Sequence, residues 1–128
     1  MKKLFLFWFV LLASGFSSAA EVPPTLNSEV GYLLDYLEHS DCQFFRNGSW
    51  HTPKEARAHL TQKYEHFLTK GQLNKTEDFI EKAASQSSMS GQSYLVKCGN
   101  NNSMTSAQWF TDALKSYRKT QAVPAKKP

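Results

Sequence analysis

The chain has 128 residues, 41% hydrophobic and 20% charged, with a formal net charge of +4. That length supports one domain with one modest core. Two of the 15 basic residues, Lys2 and Lys3, sit in an N-terminal leader, so 13 remain against 11 acidic ones; this balance lacks the dense basic patch that nucleic acid favours.

Residues 1–20 read as a cleavable secretory signal. Lys2 and Lys3 form a positive start, Leu4 to Ala13 is unbroken apolar sequence, and Ser18-Ala19-Ala20 supplies small side chains before Glu21. The apolar run of about 10 residues is half the roughly 20 needed to span a bilayer. The expectation is an exported chain with a single globular domain over 21–119, a flexible tail over 120–128 and no stable membrane insertion after cleavage.

After the extended Pro23-Pro24 lead-in, Asn27 or Ser28 is placed to cap a first helix, with Leu26 as a hydrophobic staple. Val30, Leu33, Leu34 and Leu37 recur at helical spacing until Ser40-Asp41. Cys42 to Arg46 then reads as a strand. Asn47-Gly48 is a two-residue turn signal, because both residues tolerate positive φ, and Ser49 to His51 is the return strand. Thr52-Pro53-Lys54-Glu55 is a capping box with proline at the first helical position. Ala56, Leu60, Tyr64, Phe67 and Leu68 give that second helix its apolar face, and Gly71 stops it. Asn74 with Glu77 repeats the capping pattern for a third helix bearing Phe79, Ile80, Ala83 and Ala84. A serine-rich turn, a strand within Gln92 to Cys98 and a polar loop follow. Thr105 with Gln108 then caps a last helix carrying Phe110, Ala113, Leu114 and Tyr117.

The predicted fold is a small single α+β domain: about four helices with a short antiparallel sheet, made of the hairpin plus one later strand. Cys42 and Cys98 are the two cysteines. An even count in an exported chain reads as a structural disulfide, and no C-x-x-C spacing marks a redox pair. Closing a loop of about 57 residues stabilises by roughly 4 kcal/mol in the chain-entropy model.

Phe44-Phe45-Arg46-Asn47-Gly48 with His51, His59-Leu60 and Lys63, followed by Ser85, Ser87-Ser88, Gly91 and Tyr94, resembles the YfeK-like family of small exported proteobacterial proteins. The two elements, F-x-R-N-G-x-x-H and S-x-S-S-x-x-G-x-x-Y, lie within a resemblance that covers residues 28–118. It implies a periplasmic bacterial protein, and it implies no reaction, because the family is a domain of unknown function.

The candidate binding residues are Arg46, Asn47, Trp50, His51, His59 and Lys63. Arg46 offers a planar fork for a carboxylate or phosphate. His51 sits just before a helix start, and His59 and Lys63 lie one turn apart on that helix. Trp50, near the hairpin tip, is a candidate anchor for a partner or a sugar ring. The bland reading has Asn47-Gly48 as turn chemistry, Arg46 paired with Glu55, and His51 on a backbone carbonyl. The functional expectation is a non-enzymatic binding module of the cell envelope whose partner is an envelope protein or an anionic glycan. The alternative is a small envelope hydrolase using a His/Ser pair, with His51 or His59 as base and a serine from Ser85–Ser88. No H-E-x-x-H or G-x-S-x-G motif is present, and none of Ser85, Ser87, Ser88 and Ser90 begins an S-x-x-K, so no metal, cofactor or catalytic residue is assigned.

Overall fold

The structure is a computed structural model that describes residues 22–122; the proposed signal, and the tail beyond residue 122, lie outside the described residues. Helix α1 spans Pro24–Glu38. It starts earlier than the capping reading places it. Pro24 occupies the first turn, where its missing N–H costs nothing, and the Asn27 N–H donates to the Pro23 carbonyl at 3.1 Å. Leu26 is therefore a core residue inside the helix and not a staple outside it. The remaining apolar positions, Val30, Leu33, Leu34 and Leu37, are buried as their spacing requires.

Strands β1 (Cys42–Arg46) and β2 (Ser49–His51) form the expected hairpin. Asn47 and Gly48 both adopt positive φ, 50° and 84°, the pairing that matches a tight turn to strand twist. Phe44 stands opposite His51, Phe45 opposite Trp50 and Arg46 opposite Ser49. Helix α2 (Pro53–Thr69) follows at once through the capping box. The Glu55 N–H donates to Thr52 Oγ1 at 3.2 Å, and the Thr52 N–H to Glu55 Oε1 at 3.0 Å. Gly71, with φ 67°, ends it as expected.

Helix α3 (Thr76–Lys82) is capped by a different acid from the one the pattern suggests. Asp78 Oδ2 accepts the Asn74 and Lys75 N–H groups at 2.9 and 3.2 Å, because the helix begins at Thr76, which makes Lys75 the cap and Asp78 the third helical residue. Strand β3 (Leu95–Cys98) pairs antiparallel with β1. Met104–Thr105 adds a fourth strand, β4, which two residues without alternation could not announce. The sheet order is β2-β1-β3-β4. Helix α4 (Ser106–Ala122) runs three residues into the segment expected as a tail. Its start is fixed by the predicted cap, the Gln108 N–H donating to Thr105 Oγ1 at 3.2 Å.

Phe44 and Val96 turn their side chains into the core against the helices, where Phe79, Phe110, Leu33 and Leu37 are wholly enclosed. Each such side chain contributes about 2 kcal/mol by leaving water. Cys42 and Cys98 face each other in the β1–β3 register and form the predicted disulfide.

Two arginines tie helices together. Arg57 on α2 reaches Asp35 and Glu38 on α1, at 2.6 and 2.9 Å. Arg118 on α4 forks onto both oxygens of Glu29 on α1 at 2.8 and 2.9 Å, and onto both oxygens of Glu77 on α3 at 2.7 and 3.1 Å. Glu29 is only 6% exposed and also accepts the Thr76 hydroxyl at 2.6 Å. The guanidinium, through these hydrogen bonds, holds the Glu29 carboxyl below its ordinary range and takes Glu77 down to about 2.

Candidate functional site

The site begins with the hairpin register. Side chains alternate along a strand, so Arg46 shares the inner face with Phe44, and His51, paired with Phe44, joins it. Residues flanking a tight turn thus point the same way, toward α2. From α2, one turn apart, come His59 and Lys63. The segment before β3 supplies Tyr94, 6% exposed.

These groups form one connected cluster. Lys63 Nζ donates to the Gln86 carbonyl at 2.9 Å and to Tyr94 Oη at 3.0 Å. The Tyr94 hydroxyl lies 3.2 Å from His59 Nε2. The hydroxyl thus bridges the lysine ammonium and the histidine ring. A cavity of about 20 Å³ is lined by Arg46, His51, His59 and Tyr94 together with Phe44, Phe45, Ala56, Leu60 and Ser106. It is sized for one water-sized group.

Burial and mutual repulsion set the electrostatics. Burial, reinforced by Arg46, Lys63 and His51, lowers His59 from 6.5 to about 4. Burial and then Arg46 lower Lys63 from 10.5 to about 8. Burial pushes the Tyr94 phenol up, against the pull of Arg46. The nearest acid, Glu55, is below its ordinary range chiefly because the Thr52 N–H and hydroxyl hold it in the helix cap. Every ion pair among the described residues belongs to Arg57 or Arg118. The Arg46–Glu55 pair considered from sequence does not form.

The structure therefore brings together Arg46, His51, His59 and Lys63 and separates the other two candidates from them. Asn47 is a turn residue whose Oδ1 accepts the Ser90 hydroxyl at 3.3 Å, hooking the hairpin tip to the serine-rich turn. Trp50 points to the opposite face of the sheet, its ring tilted against Phe45 at 5.1 Å between centroids, and is 43% exposed. His66 and Lys70, farther along the same helix, stand in solvent. Tyr94 is the member of the cluster that is absent from the candidate binding residues read from the sequence. Its signal was a tyrosine ending the serine-glycine element, with nothing in the spacing to say that its hydroxyl meets α2.

The serines behave as turn formers. Buried Ser87 accepts the Met89 and Ser90 N–H groups, both at 3.2 Å, and Ser85 donates to the Ile80 carbonyl. Neither hydroxyl bonds a histidine. Asp41, Cys42 and Cys98 are the one group of possible metal ligands close together among the described residues. The disulfide removes both thiolates that a metal would need.

Fold and site together define a small α+β domain with a basic niche, free of ion pairs, between a hairpin and a helix. The chain belongs to a family of unknown function (DUF5329), whose model matches residues 24–118. No curated protein and no solved structure gives a significant match. Among the described residues, no helix is long and apolar enough to cross a membrane.

Proposed function

We propose that the protein is an exported, periplasmic binding module of the cell envelope, of the YfeK-like kind. In this reading it holds a carboxylate-bearing partner at Arg46, His51, His59 and Lys63 and carries out no chemistry on it. One observation carries the reading. Arg46, His51 and His59 line one niche with Lys63 beside it, none of them in an ion pair, and burial has already desolvated His59 and Lys63. An anion entering there meets the Arg46 fork and the remaining Lys63 proton, and each charge-assisted hydrogen bond contributes about 1.5–3 kcal/mol.

The test is a titration of isotope-labelled protein with a glutamate-rich peptide and, separately, a uronic-acid oligosaccharide, following the amides and rings of the cluster by NMR. At least one probe should shift the cluster selectively, and Arg46→Ala should abolish the shift while leaving the fold intact. Selective shifts elsewhere, or none with either probe, contradict the reading. Export is tested by sequencing the N-terminus of the protein recovered from cells. A start at Glu21 in the periplasmic fraction is expected, and an uncleaved cytoplasmic chain contradicts it.

A further inference from the structure

The anion niche lies on one side of the hairpin and the exposed tryptophan on the other. Between them runs the free edge of β2. A two-residue turn makes Arg46 and Ser49 a hydrogen-bonded pair, so the next pair, Phe45 and Trp50, is not hydrogen-bonded. The Trp50 N–H and C=O therefore point away from β1, toward open space at the sheet edge. On the outer face, Trp50, Phe45 and Leu95 stand side by side across three strands. Trp50 is 43% exposed and Phe45 and Leu95 are half-buried. On the inner face stand Arg46 and His51.

We propose that β2 accepts an extended acidic peptide segment of a partner protein as an added strand. The backbone of that segment bonds Trp50, an apolar side chain lies against the Trp50 indole, and the flanking carboxylates reach Arg46 and His51. This rests on the anion reading of the same site and deepens it by naming the partner class. Strand addition uses backbone bonds for affinity and alternate side chains for specificity, and the two faces of β2 supply that alternation: apolar outside, basic inside. The pattern sought is acidic-apolar-acidic. A second copy of the chain is the poorer occupant, because pairing two β2 edges brings two basic clusters together. A glycan leaves the outward backbone pair without a matching strand.

The experiment is calorimetric titration of the purified protein with a short Glu-Val-Glu-type peptide, with the same peptide N-methylated at the central valine, and with a uronic-acid oligosaccharide. Trp50→Ala removes the indole and keeps the N–H; Trp50→Pro removes both, and proline is tolerated on an edge strand whose N–H faces outward. The peptide should bind wild type, lose about tenfold in Trp50→Ala, and lose about tenfold more in Trp50→Pro. N-methylation should weaken wild-type binding without any change to the protein, which keeps the test valid if Trp50→Pro misfolds. Full affinity for the N-methylated peptide, or an oligosaccharide that binds as tightly as the peptide, overturns strand addition. Concentration-dependent dimerisation of wild type that Trp50→Ala removes also overturns it, in favour of self-pairing. If either probe still binds in an Arg46-dependent way, the anion reading survives that loss. If neither binds, both readings fall.

Discussion

Arg118 on α4 and Arg46 on β1 are both half-exposed, yet their surroundings differ in kind. Arg118 is forked onto two carboxylates, one of them buried, and joins α1, α3 and α4. Arg46 has three basic neighbours, and the nearest acid is committed to a helix cap. The first arrangement satisfies its charge inside the fold. The second leaves charge unsatisfied, and a folded chain tolerates that where a partner supplies the missing acid. The comparison separates a residue whose charge is paired inside the fold from one whose charge is not.

The largest expected difference between the two regions is in stability. Arg118→Met leaves Glu29 buried without its partner and should cost about 3 kcal/mol. Arg46→Met removes repulsion and breaks no internal ion pair, so its effect should stay within about 0.5 kcal/mol of zero. Urea denaturation of the two variants measures both. Equal losses would erase the distinction.

Acid sharpens the comparison next. His59 titrates near 4 when folded and at 6.5 when unfolded. The unfolded chain therefore binds the extra proton between those values, and stability falls as pH drops through that window. Glu77, at about 2 folded against 4.5 unfolded, stabilises above 4.5, and that contribution is lost as pH falls toward 2. Wild type should lose stability in two successive steps. His59→Gln should flatten the upper one and Arg118→Met the lower. Denaturation midpoints across pH 2–8 read the result directly.

The base side predicts smaller effects. Lys63 is lowered to about 8 from 10.5, so the unfolded chain holds more protons between those values and the free protein should gain stability as pH rises through them. Anion affinity should move the other way, falling as Lys63 loses its charge above about pH 8. Lys63→Met should remove both trends in the denaturation and titration data.

Much of this was legible before any coordinates. Helix α2 announces itself through Thr52, Pro53 and Glu55, and the hairpin through Asn47-Gly48, because capping and turn chemistry are local. Arg46, His51, His59 and Lys63 stood out as specific polar residues, and two of them share a helix face by spacing alone. What sequence could not give depends on register and packing. Trp50 and His51 are neighbours in the chain, yet alternation sends them to opposite faces of the sheet. Tyr94 reaches His59 and Lys63 only because β3 lies beside β1. The Glu29–Arg118 pair joins residues 89 positions apart in the chain, and nothing in the local pattern singles Glu29 out. The fourth strand is too short to carry a pattern, and the first helix starts early because Pro24 fits a first turn as well as an extended lead-in.

The most direct test of the unpaired cluster is an NMR pH titration of the His59 ring, in wild type and Arg46→Ala, with and without the glutamate-rich peptide. The account predicts a midpoint near 4 in the free wild type, well below the ordinary 6.5. It should rise when Arg46 is removed, and rise in wild type when the peptide brings a carboxylate to the niche. A midpoint near 6.5 that neither change moves would mean that the cluster is already solvated or paired, and would contradict the account.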